Sequence, residues 1–63
     1  MKAKDLREMT DEEIKKILDD NTEESFNLRF QKVAQEIENP MRLRVVRRNI
    51  ARIKTIMRER GIS

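Results

Sequence analysis

The chain has 63 residues, of which 43% are charged and 37% hydrophobic, with two Phe and no Trp or Tyr. Chains this short bury only about 60% of their unfolded surface, so a thick core is out of reach and helices sharing one seam are not. Cys and His are absent, which removes disulfides, thiolate and imidazole metal sites and the commonest general base.

The net charge of +3 hides a split. Residues 1–38 carry seven Lys or Arg against eleven Asp or Glu, while residues 39–63 carry eight against the single Glu59. Such asymmetry points to a nucleic-acid or acidic partner for the basic half. Runs of adjacent apolar residues never exceed two, so no membrane span is expected. The opening MKAKDLREM has no apolar segment of the secretory kind, and the cytosol is the expected compartment.

A short helical turn can form over Lys2 to Met9, with Leu6 and Met9 folding back onto a neighbour. Thr10-Asp11-Glu12-Glu13 reads as a capping box, with hydroxyl and carboxylate each satisfying the other's backbone N–H, so the first long helix starts at Asp11. No Gly or Pro follows until Pro40, and the helix is expected to reach about Glu38. Its apolar residues form two stripes roughly 130° apart. Ile14, Ile17, Leu18 and Leu28 lie on one side, with Asn21 and Ser25 between them. Phe26, Phe30, Val33 and Ile37 lie on the other. One partner helix cannot cover both, and we assign the Phe26 stripe to the seam near the turn. That leaves the Ile14-Ile17 side to the far end of the second helix, the folded-back Leu6 and Met9, or another protein.

Asn39 is a good N-cap and Pro40 suits the first helical position. A very short turn then joins antiparallel neighbours. In the second helix Leu43, Val46, Ile50, Ile53 and Met57 recur at steps of three and four, which is one apolar face. Gly61 reads as its C-terminal cap. The expected fold is all-α: an antiparallel two-helix hairpin, with helices over about 11–38 and 40–60, in a single domain spanning 1–63.

Arg44, Arg47, Arg48, Lys54 and Arg58 form a second stripe on that helix, roughly 120° from the apolar one. The small Ala51 and Thr55 lie within it. The bland alternative is that these cations pair with the acidic first helix. Arg42 and Arg60 lie close enough to the seam to do so, whereas Arg44, Arg48 and Arg58 point away. Phosphates answer such a surface, since each contact releases condensed counterions and the guanidinium fork matches phosphate geometry. Polar residues for reading bases are few, Asn49 and Thr55 being the main ones. Structured RNA, contacted through backbone and shape, therefore fits better than a DNA major groove. No exposed Tyr or Trp offers a stacking platform.

Catalysis finds no support. Ser25 and Ser63 have no base nearby in sequence. The Asp19-Asp20 and Glu23-Glu24 pairs read as a solvated acidic face, and a hairpin encloses no pocket that would shift a pKa. No enzyme activity, cofactor, metal site or small-molecule substrate is expected.

MKAKDLREMTDEEI, FNLRFQ at Phe26 to Gln31 and NPMRLRVVRRNIARIKT at Asn39 to Thr55 together resemble the bacterial large-subunit ribosomal protein twenty-nine family over nearly the whole chain. Glu36 to Glu38 stand where the family often has Gly or small residues. The resemblance implies a hairpin bound to large-subunit ribosomal RNA beside the polypeptide exit tunnel, in contact with ribosomal protein twenty-three. It adds Lys2, Lys4 and Arg29 to the RNA-binding candidates Arg44, Arg47, Arg48, Lys54, Thr55 and Arg58. It also makes Leu6, Met9, Ile14 and Ile17 candidates for a protein-facing patch. The rival reading is a helical module that dimerises through Ile14, Ile17 and Leu28, its basic surface incidental.

Overall fold

The computed structural model describes residues 1–36 and 38–62. Three helices follow one another: α1 (Ala3–Arg7), α2 (Asp11–Val33) and α3 (Pro40–Arg60). The two long helices pack against each other as an antiparallel hairpin, and α1 lies against α3. The whole measures 38 × 18 × 15 Å, about the length of the 23-residue α2 at 1.5 Å per residue.

The starts of both long helices follow the sequence signals. Thr10 Oγ1 accepts from the Glu13 N–H at 3.2 Å, and the Thr10 N–H donates to Glu13 Oε1 at 3.4 Å, closing the capping box. Three acids in the first turn of α2 meet the positive end of its dipole. Asn39 Oδ1 accepts from the Met41 N–H at 3.1 Å, with Pro40 opening α3.

The ends share one motif on different residues. At α3, Gly61 takes the left-handed conformation, its N–H donating to Arg58 O, and the Ile62 N–H donates to Met57 O. At α2 the same pair of bonds runs from Gln35 to Lys32 and from Glu36 to Gln31. Here the left-handed residue, at φ 59°, is Gln35. The first long helix therefore stops at Val33, short of the expected Glu38. A helix running to Glu38 would leave Asn39 alone to reverse the chain across an interaxial gap of about 8–10 Å. The reversal begins at Ala34, directly after α2, and a non-glycine residue, Gln35, absorbs a left-handed conformation costing about 1–2 kcal/mol to achieve it. Ile37, assigned to the second stripe, lies outside the described residues.

The Phe26 stripe does not form the seam expected of it near the turn, whereas the Ile14 side is covered by the far end of α3 and by Leu6, two of the covers expected for it. Ile14, Asn21 and Ser25 are buried, with Ile17, Leu18 and Leu28 half-buried. Phe26, Phe30 and Val33 are 70%, 69% and 85% exposed. A straight helix presents one side along its whole length, and the Ile14 side offers more. There Leu6 from α1 closes over Ile14, Ile53, Ile56 and Met57, with Met9, Ile17, Leu18 and Ile62 packed around them. On α3, Leu43, Val46, Ile53 and Met57 are buried as expected. Ile50 is half-buried, and Ile56 and Asn49 join the interior.

Small and polar residues at mid-seam accompany this choice. Asn21 Nδ2 donates to Ile17 O at 2.9 Å, and Asn49 Nδ2 reaches Asn21 Oδ1 at 3.5 Å. The buried Ser25 Oγ has no partner among the described residues. Asn49 is thus an internal residue bridging the two helices and is not available for reading bases. Because Phe26 lies outside the packing, Phe26→Ala is expected to change stability by no more than about 0.5 kcal/mol. A urea titration checks this, and a loss of about 3 kcal/mol or more, the cost of truncating a core Phe, would place the ring in the core.

Candidate RNA-binding face

The cations of α3 divide according to the side of the helix they occupy. On the side beside α1 and the acidic flank of α2, each charged group is tied down. Arg42 grips both carboxylate oxygens of Glu24, with Nη2 2.9 Å from Oε1. Arg60 Nη1 donates to Asp11 Oδ1 at 2.9 Å, and Nη2 donates to the carbonyls of Leu6 and Arg7. Arg52 Nη1 donates to Met1 O at 2.6 Å. Glu59 receives Arg7 at 3.3 Å. These contacts fasten α1 onto α3 and α3 onto α2.

The Arg42 guanidinium, donating to Glu24, holds that carboxyl below its usual range. The folded value is the lower one, so this tie contributes above the ordinary Glu range and is lost as pH falls through the depressed value. Both side chains are more than a third exposed, which keeps the contribution small.

The other side of α3 is different. Arg44, Arg47, Arg48, Lys54 and Arg58 are all exposed. Among the described residues the ion pairs are Arg7–Glu59, Lys16–Asp20, Arg42–Glu24 and Arg60–Asp11, and none involves these five. The Thr55 hydroxyl donates to Ala51 O at 2.9 Å on its own helix, so within the stripe it acts as a small, self-satisfied surface residue.

Three shallow clefts follow the groove where this side meets α2. Lys32, Pro40, Leu43, Arg44 and Arg47 line the one near the turn. Thr22, Ser25, Phe26, Arg29, Ile50 and Lys54 line the middle one. Leu18, Lys54, Met57, Arg58 and Ile62 line the far one. No acidic side chain lines any of the three. Arg29 thus joins the α3 cations across the groove. Lys32, which sequence reasoning does not single out, joins them too; its spacing of three from Arg29 is the available signal. Lys2 and Lys4 are exposed at α1 and line none of these clefts.

The apolar candidates fall differently. Leu6 and Ile14 are wholly buried inside the hairpin, with Met9 and Ile17 half-buried against the same cluster. Leu6 and Ile14 are therefore core and cannot face a partner protein. The dimerising reading through Ile14, Ile17 and Leu28 also loses its surface, because that side already faces α3. The apolar side left open is that of Phe26, Phe30 and Val33.

No helix among the described residues is long and apolar enough to cross a membrane. The family profile described as Ribosomal L29 protein matches residues 4–60. A Large ribosomal subunit protein uL29 from Natranaerobius thermophilus is 59% identical over 63 residues, covering all of this chain and 97% of that protein. A uL29 from Pelotomaculum thermopropionicum is 60% identical over 62 residues, covering 98% of this chain and 92% of its own length. One from Moorella thermoacetica is 53% identical with the same coverage. With the match running from α1 through the last turn of α3, and identity sustained over essentially complete chains, the chain belongs to the ribosomal L29 protein family.

Proposed function

We propose that this chain is a structural constituent of the large ribosomal subunit in the cytoplasm, acting as one domain over residues 1–63 and gripping ribosomal RNA without catalysis or cofactor. The observation that carries this reading is the division of the α3 cations. Arg42 and Arg60 have acidic partners, whereas Arg44, Arg47, Arg48, Lys54 and Arg58 have none among the described residues. Charges of one sign crowded on one exposed side repel one another until an anion arrives. Phosphates relieve that repulsion and gain counterion-release entropy in doing so. Arg29 and Lys32 extend the contact across the groove, and Lys2 and Lys4 are further candidates at the α1 end.

The hairpin is the scaffold for this surface. Its core holds α3 rigid, so the cations keep their spacing along about four helical turns. Such contacts neutralise folded RNA and fix register without reading sequence. Family likeness further supports a place beside the exit tunnel, next to ribosomal protein twenty-three. The exposed Val33 and Phe30 edge of α2 is the apolar surface available to a protein neighbour there.

Sedimentation with purified large subunits lacking the protein tests the proposal. The chain is expected to travel with the subunits at about 50 mM salt and to be released by a high-salt wash. Failure to associate at low salt contradicts the proposal.

A further inference from the structure

We propose that Phe26 is a stacking platform for one unstacked base of the bound RNA, with Arg29 and Lys54 taking the phosphates on either side. The inference rests on the RNA-binding reading above and names a subsite within it.

Phe26 is not part of the buried cluster that joins the helices. It is 70% exposed on a helix whose seam lies on another side. Its ring borders an open cleft of about 230 Å³, walled by Thr22, Ser25 and Arg29 from α2 and by Ile50 and Lys54 from α3. The cleft therefore combines an exposed aromatic side chain with one cation from each helix and no carboxylate. An apolar ring alone would suit a protein neighbour. A ring sharing a cleft with two cations that form no ion pair among the described residues suits a polyanion that also carries flat apolar faces. Splayed nucleotides have that chemistry, and RNA-binding surfaces use Phe for it. Stacking of this kind tolerates any base, because every base has a π-face. It therefore adds affinity to a backbone-reading surface without adding a sequence code.

Phe30 supplies a matched control. It is the same residue type, one turn along α2 and 69% exposed, but it does not border the cleft. The natural chain has no Trp, so Phe26→Trp places a single fluorophore at the site. With a large-subunit rRNA transcript as probe, emission of the Phe26→Trp protein is expected to be quenched on binding. Phe26→Ala is expected to bind the transcript about 5- to 150-fold more weakly with its salt dependence unchanged. Phe30→Ala should bind like wild type.

Bound transcript without quenching, or equal losses for the two alanine variants, overturns the stacking site. The RNA-binding reading then stands on the salt-dependent binding of the wild type. If the wild type itself binds the transcript without salt dependence, the broader reading fails and the subsite with it. Unchanged transcript affinity for Phe26→Ala, combined with lost retention on large subunits, assigns the ring to a protein neighbour and also overturns stacking.

Discussion

Exchanging Arg44, Arg47, Arg48 and Arg58 together for Gln is expected to weaken binding to ribosomal RNA on the order of a thousandfold at about 0.1 M salt. Every phosphate that goes unneutralised lowers the slope of log affinity against log salt by nearly one unit, so four of them correspond to roughly three to four decades at that ionic strength. None of the four side chains is buried, and none belongs to an ion pair among the described residues. Helix content and melting should therefore stay close to the parent. Circular dichroism and filter binding on the same preparations check both halves. A variant that melts like wild type and binds like wild type removes these arginines from the RNA interface. Arg42→Gln and Arg60→Gln are the natural contrast, since those two side chains are already engaged by Glu24, Asp11 and the carbonyls of Leu6 and Arg7.

Ile53→Ala is expected to have the largest effect on folding, about 2–5 kcal/mol. Ile53 is wholly buried, and its cluster draws on all three helices through Leu6, Ile14, Ile56 and Met57. Chains of this size have about 3–9 kcal/mol of stability altogether, at roughly 0.05–0.15 kcal/mol per residue. The substitution therefore removes a large share of it and should lower the cooperative melt drastically. A melt unchanged from the parent would show that this cluster is not what holds the three helices together.

The contrast between Ile53 and Phe26 shows how far the residues alone disclose the fold. The beginnings of α2 and α3 and the end of α3 are legible, because Thr10, Glu13, Asn39, Pro40 and Gly61 each do a local job that local chemistry dictates. The apolar face of α3 is also legible, since one helix with one partner has one stripe. The seam of α2 is not. Two stripes of similar content compete, and the choice is made by α1, whose Leu6 completes a cluster on the Ile14 side alone. The end of α2 is hidden for a related reason. Its left-handed residue is Gln35, which carries no signal in a sequence where Gly is the usual mark. Buried Asn21 and Asn49 are equally hidden, because a polar pair satisfied across two helices looks like surface until the helices are placed.

Much of the candidate site is legible, since the angular position of a side chain on α3 is set by the helix itself. That geometry alone separates Arg42 and Arg60, near the seam, from Arg44, Arg48 and Arg58. What it cannot supply is anything contributed across the groove. Lys32 and the aromatic edge of Phe26 meet the α3 cations only once the correct side of α2 has turned inward. With the Phe26 stripe assigned to the seam, no aromatic platform remains on the surface, and the stacking site disappears from view.

That the free cations of α3 are met by phosphates is tested most directly by the affinity of the wild-type chain for a large-subunit rRNA transcript between about 50 and 200 mM salt. The five α3 cations alone predict a slope of log affinity against log salt at least as steep as roughly −3.5 to −4.5, and Arg29 and Lys32 steepen it further. A slope near zero would contradict the account.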